Sequence, residues 1–97
     1  MNLQPVLVAG AWRQSSQIVG TFSAVDPSTR AQLADQYPVS GLDEVNEVCA
    51  AGREAAIALR GMIDREERIA RFLDDYALAI EASADALCEM AHRETAL

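Results

Sequence analysis

The sequence predicts a mixed α/β chain: a short β-hairpin region over residues 1–39, then two or three amphipathic helices over residues 40–97, together one incomplete domain. Three observations carry the prediction. Apolar and polar residues alternate before Ser40, the period of a strand, and recur at steps of three and four after it, the period of a helix. Turn-forming residues, Gly10 and the pair Asp26-Pro27, separate the early runs. The composition, 51% hydrophobic and 24% charged in 97 residues, excludes a disordered tail or a low-complexity repeat.

The elements follow in order. Pro5-Val6-Leu7-Val8-Ala9 is a β-prone run, with Gly10-Ala11 as the expected turn before Trp12. In Gln17 to Val25, Ile18, Gly20, Phe22 and Ala24 alternate with Val19, Thr21, Ser23 and Val25, which suits a strand. Asp26-Pro27-Ser28-Thr29 ends it as a type I turn, because proline presets φ and the carboxylate can accept from the backbone further on. Ala31 to Val39 carries a weaker signal, for one more short extended segment ending at Tyr37-Pro38.

Ser40-Gly41-Leu42-Asp43 has the pattern of a capping box, which opens the first helix. Val45, Val48, Cys49, Gly52, Ala55, Ala56 and Leu59 then share one face, rich enough in small residues for another element to approach closely. Arg60-Gly61 is a helix stop, with positive charge at the negative end and a glycine free to take φ > 0. A second helix starts at Asp64 with Glu67 as its capping partner, and Ile69, Phe72, Leu73, Tyr76 and Ile80 form its apolar stripe. Its other face offers the i,i+4 pairs Asp64–Arg68, Glu67–Arg71 and Arg71–Asp75. Ser83 is expected to cap a third helix carrying Leu87, Cys88 and Ala91.

Charge narrows the partners. Fifteen acidic residues against eight basic ones leave a net charge of −7. Every basic residue is an arginine, scattered among acids, so no basic stripe exists of the kind that phosphate neutralisation needs. The expectation is no nucleic acid and no membrane surface. No uncharged apolar run reaches the roughly 18–20 residues of a membrane span. Met1 to Pro5 lacks the basic start of a secretory signal, and two cysteines are too few for a stapled secreted scaffold. A cytoplasmic location is expected.

A search for chemistry returns little. Cys88 and His92 are four apart on a helix, but a structural zinc site wants about four ligands, and Cys49 lies on another helix's apolar face. Both cysteines are expected to pack. Cys88 stands late in its helix beside Glu89, the wrong place for a thiolate nucleophile. The acidic neighbours Glu44 with Glu47, Glu66-Glu67 and Asp74-Asp75 read as solvated helix faces with arginines beside them. The five glycines form no phosphate-binding motif, and lysine is absent. No residue is assigned a catalytic, cofactor-binding or metal-ligating role.

The order of the pieces is nevertheless distinctive. Gly10-Ala11-Trp12 is followed by Phe22-Ser23-Ala24-Val25-Asp26-Pro27-Ser28-Thr29, then Tyr37-Pro38-Val39-Ser40. Next come two helices with Ala50-Ala51, Ala55-Ala56 and Arg65-Glu66-Glu67-Arg68, and the chain closes on Glu94-Thr95-Ala96-Leu97. This resembles the N-terminal portion of the NAD(P)-dependent aldehyde dehydrogenase superfamily, where a G-x-W hairpin, an F-x-x-x-N-P-x-T-G turn, two alanine-rich helices and an E-T-G-like helix end occur in that order. The Glu94-Thr95-Ala96-Leu97 ending is similar to the branch that oxidises 2,5-dioxovalerate. The chain departs from the pattern at Asp26, where asparagine is usual, and at Arg30, where the turn glycine is usual. Losing that glycine removes an easy φ > 0 position and predicts a turn of another shape.

The resemblance implies an α/β fold, the front of a doubly wound coenzyme-binding domain. It implies NAD or NADP for the full-length protein, none of it bound by this segment. The family's oxyanion asparagine, glycine-rich coenzyme motif, general-base glutamate and nucleophilic cysteine all come later in the chain than this segment reaches. The family reaction is thiolate attack on an aldehyde, hydride transfer to nicotinamide and hydrolysis of the thioester. The partner implied is the remainder of the chain's own dehydrogenase, with homo-oligomers at full length. By itself the segment is expected to be inactive. The competing reading is a self-standing acidic α+β interaction module, dimerising through the Val45–Leu59 and Ile69–Ile80 stripes.

Overall fold

A computed structural model describes residues 2–97, with five strands in two sheets followed by three helices. Strand β2 (Val6–Val8) and strand β3 (Ala11–Arg13) form an antiparallel hairpin in which Leu7 faces Trp12. Its turn is Ala9-Gly10, one residue earlier than the sequence suggests. Ala9 at φ 50° and Gly10 at φ 80° both take the left-handed conformation, the requirement of a type I′ turn that matches strand twist.

Strand β4 (Ile18–Phe22) pairs antiparallel with strand β5 (Asp35–Ser40), and β5 pairs parallel with β1 (Asn2–Leu3), giving the order β1-β5-β4. The short β1 carries no sequence signal of its own; Gln4 extends its pairing by donating its N–H to the Gln36 carbonyl at 2.7 Å. Phe22 and Tyr37 stand opposite each other with ring centroids 5.4 Å apart. Pro38 sits within β5 opposite Thr21, at a level where β1 has already ended, so the ring has an open flank to occupy.

The alternation from Gln17 overstates β4, which stops at Phe22; beyond it Val25 and Gln32 make one isolated bridge. The Asp26 carboxylate accepts from the Ser28 N–H at 2.8 Å and the Ser28 hydroxyl at 2.7 Å, the local bonding the sequence predicts. The turn closes one residue later than a four-residue turn, with the Arg30 N–H on the Asp26 carbonyl at 2.8 Å. Arg30 takes φ 61°, so the backbone keeps a left-handed residue there without a glycine.

The helices are α1 (Leu42–Arg60), α2 (Arg65–Ala82) and α3 (Ala84–Thr95). None of the predicted side-chain caps forms. Ser40 belongs to β5 and Gly41 caps α1; Asp64 and Ser83 stand at the cap positions of α2 and α3 without a cap bond from either side chain. Asp64 instead accepts two bonds from Arg68, the i,i+4 pair expected, whereas Glu67–Arg71 and Arg71–Asp75 do not close. Gly61 ends α1 at φ −80°, so its freedom to take positive φ is unused.

The helices have no cover. No helix packs extensively on another or on a sheet; only the end of α3 comes near the sheet, where Met90 and Arg93 border a pocket with Leu33 and Tyr37, and among the described residues Val8 is the only buried hydrophobic side chain. Ile69, Phe72, Leu73, Tyr76, Ile80 and Leu87 are all exposed. The radius of gyration is 17.3 Å, where a folded chain of this length has about 13 Å. The accessible surface is 7752 Å², against about 5,400 Å² for a folded monomer of this mass. Cys49 and Cys88, expected to pack, are both exposed: Cys49 borders an open cleft beside the hairpin, and Cys88 lies on the uncovered α3. No helix among the described residues is long and apolar enough to cross a membrane.

Candidate functional site

The best-organised place in the molecule is the junction of the β2–β3 hairpin with the start of α1, and its centre is Glu44. Sequence reading puts Glu44 on a solvated helix face; the structure buries it, with 2% of its surface exposed. Glu44 lies in the first turn of α1, one residue before Val45 and four before Val48, so it points into the hairpin with them. The segment that follows the hairpin then delivers donors from neighbouring chain positions. The Ser15 hydroxyl makes a short bond to Oε2, the Ser16 N–H reaches Oε1 at 2.9 Å and the Ser16 hydroxyl at 3.3 Å. Arg13, at the end of β3, places Nη2 3.4 Å from Oε1.

Arg13 divides its charge. Nη1 and Nη2 each donate at 2.8 Å to one oxygen of Glu47, a bidentate fork one helical turn beyond Glu44. The Ser15 hydroxyl, the Ser16 N–H and the Ser40 hydroxyl, in that order, hold the Glu44 carboxyl down at about 2, overcoming the desolvation that pushes it up; Arg13 adds to the effect. Arg13 likewise lowers Glu47, and the two carboxylates raise Arg13. The positive end of α1 favours the same anionic form.

Gln17 completes the junction from β4's approach. Its carbonyl accepts the Gly41 N–H at 2.8 Å, and its side-chain Oε1 accepts the Asp43 N–H at 3.0 Å. The cap of α1 is therefore supplied by the residue that leads into β4, distant in sequence, rather than by Ser40. A Cβ on Gly41 would lie 2.2 Å from Gln17 Oε1 and 2.6 Å from its Cγ, so the close approach of Gln17 requires the glycine. Beside this network lies an apolar cleft of about 240 Å³ between Val6, Val8, Val45, Val48 and Cys49.

Chemically, Glu44 is a saturated acceptor, ionised at neutral pH and shielded from solvent. It holds elements together and is not poised to take a proton. The other acidic neighbours stay on exposed helix faces. Cys88 and His92 share a face of α3, and His92 Nδ1 is held by the Leu97 carbonyl rather than facing the thiol. Cys49 stands on a separate helix, α1. A signal for Glu44 does exist in the sequence: it shares a face with Val48, and Arg13, Ser15 and Ser16 cluster behind a hairpin. Only the fold brings these together. Comparison of the chain with protein-family models, curated proteins and solved structures finds no match.

Proposed function

We propose that the chain is the leading segment of a cytoplasmic NAD(P)-dependent aldehyde dehydrogenase acting on a small semialdehyde of the 2,5-dioxovalerate type. One observation carries the reading beyond motif order. The motifs it resembles place glycine at three positions here: Gly10 of the G-x-W hairpin, Arg30 at the end of the turn and Ala96 at the close of the last helix. The backbone has positive φ at all three, 80°, 61° and 58°. L-residues adopt that region at a cost and glycine at none. Two of the three positions keep the glycine conformation after losing the glycine, which supports descent from such a frame.

The uncovered helices support the same reading, with the remainder of the dehydrogenase chain as the body that covers them. The excess of exposed surface is of the size that obligate interfaces remove, a few thousand Å². The nicotinamide coenzyme does not fit this segment. The helix N-termini here carry Asp43 and Glu44, Glu66 and Glu67, and Asp85, all repelling a pyrophosphate. The segment's contribution is structural support for a coenzyme domain, and the full-length enzyme is a homo-oligomer.

The test is to express the whole reading frame that contains these residues and follow nicotinamide reduction with a panel of semialdehydes. Turnover of a carboxylate-bearing semialdehyde, with none by residues 1–97 alone, supports the proposal. A well-folded product that oxidises no aldehyde overturns it, as does a sharp, cooperative melt of residues 1–97 as a monomer, which belongs to the self-standing module.

A further inference from the structure

The β2–β3 hairpin bonds to no other strand. It joins the rest of the molecule through Gln4-Pro5 on one side and residues 14–17 on the other. Its apolar anchorage is slight: Val8 alone is buried, and the cleft it shares with Val45 and Val48 is left open. Leu7, at the border of that cleft, and Trp12 opposite it remain 52% and 69% exposed. Polar bonds therefore do most of the fastening: Arg13 bonds Glu47 and, more distantly, Glu44, and Ser15 and Ser16 just beyond β3 bond Glu44.

We infer that the β2–β3 hairpin is a hinged flap, latched to α1 by the buried Glu44 carboxylate, and that neutralising this carboxylate releases the flap as a unit while the β1-β5-β4 sheet stays formed. The groups facing Glu44 define the latch. Arg13 is the one charged group from β3, and Glu47, on α1 itself, shares it. The 14–17 segment and β5 contribute only neutral donors, Ser15, Ser16 and Ser40, and β2 contributes no titratable group. No second cation stands by to replace Arg13, and a protonated Glu44 carries its proton on one oxygen, loses the charge that draws Arg13 and accepts more weakly from Ser15, Ser16 and Ser40. Release opens the Val8–Val45–Val48 cleft, a surface that the latched state half covers.

The sign of the pH effect follows from the depressed carboxyl. The unfolded carboxyl binds its proton near the ordinary glutamate value of about 4.3. The latched carboxyl binds it only near 2. The latch is at full strength above the unfolded value, weakens as the pH falls below it, and is lost as the pH passes through the latched value.

Amide exchange read by NMR on the 97-residue chain tests this. In Glu44→Gln at neutral pH, amides of Val6–Arg13 should exchange at least about tenfold faster, with those of β4 and β5 changed less than about twofold. In the unsubstituted chain the same split should appear as the pH falls from about 4.3 to 2, after correction for intrinsic exchange, and in Glu44→Gln the pH dependence should shrink to the part carried by Glu47 on Arg13. Unchanged hairpin protection in Glu44→Gln overturns the latch. So does equal loss in hairpin and sheet, or failure of the variant to fold, because either makes Glu44 a general structural residue. The acid titration of the unsubstituted chain reads the same split without any substitution.

Discussion

The hairpin–α1 junction and the α2–α3 arm are built from similar material and end in opposite states. Both are rich in acids and arginines, and both carry aliphatic residues at regular spacing. At the junction, the side chains of Arg13, Ser15, Ser16 and Gln17 come from residues more than twenty positions away from the helix they bind. In the arm, every side-chain ion pair is local: Arg65 with Glu66, Arg68 with Asp64, Arg93 with Glu89. Local pairs on exposed helices contribute little, because solvent screens them and both side chains lose freedom. Long-range bonds to a buried acceptor define a tertiary structure. What the arm lacks is a second surface.

That contrast predicts opposite responses to truncation, and this is the largest effect expected. Glu44→Ala removes a buried acceptor that serves several half-buried donors and should lower the midpoint of thermal unfolding of residues 1–97 by about 5 °C or more. Leu73→Ala in the arm should shift it by less than about 2 °C, since the leucine is already 56% exposed and alanine favours the helix. In the longer dehydrogenase we propose, the order changes. There Leu73→Ala should cost about 2–5 kcal/mol, the usual toll of emptying a buried leucine site. Circular dichroism melts of both lengths make the comparison. A large Leu73→Ala effect in the short chain would show that the arm packs upon itself, and a negligible one at full length would show that nothing covers it.

The same contrast explains what the sequence revealed. Periodicity located α1, α2 and α3 because each helix is written in its own residues, and Asp64–Arg68 was legible because its partners are one turn apart. Caps failed because local pattern assumes local partners. Ser40 looks like the cap of α1, yet Gln17, just ahead of β4, supplies the bond and frees Ser40 for β5. β1 was invisible because two residues carry no period, and it exists only by pairing with Asp35 and Gln36. Glu44 was misplaced because its helix-face neighbours Glu47 and Asp43 are exposed, while the donors that bury it are read from the other end of the chain. The apolar stripes were legible as stripes; whether anything covers them is not written in the stripes.

A second, smaller effect sharpens the junction. Gly41→Ala places a methyl group against the Gln17 side chain, which must leave the Asp43 N–H to make room. The expected cost is about 1–3 kcal/mol, the range for overpacking plus a lost cap. Pairing it with Gln17→Ala in a double-mutant cycle isolates the clash: once Gln17 is truncated, Gly41→Ala should become nearly neutral. Additive losses would mean that the glycine serves the backbone of α1 and not the approach of Gln17.

The smallest expected effect has the opposite sign and bears on the turn and the helix end. Arg30 and Ala96 hold φ 61° and 58°, where a Cβ crowds the backbone. A left-handed L-residue costs about 1–2 kcal/mol. Glycine removes that cost but gives back roughly 0.4–1 kcal/mol through the greater freedom of the unfolded chain. The balance favours glycine slightly, so Arg30→Gly and Ala96→Gly should each stabilise by about 0.5 kcal/mol. Arg30 is in no ion pair, so its loss removes no bond that would mask the gain. At Ala96 the N–H already donates to the His92 carbonyl at 2.7 Å, closing α3, and glycine keeps that bond. Because the helix end can fray while the turn is tied by Asp26, the gain at position 30 should appear in global stability and the gain at 96 chiefly as slower exchange of the last turn of α3. Denaturant titration with amide exchange separates the two, and destabilisation by Arg30→Gly would mean that the arginine side chain, rather than the backbone conformation, is what this turn retains.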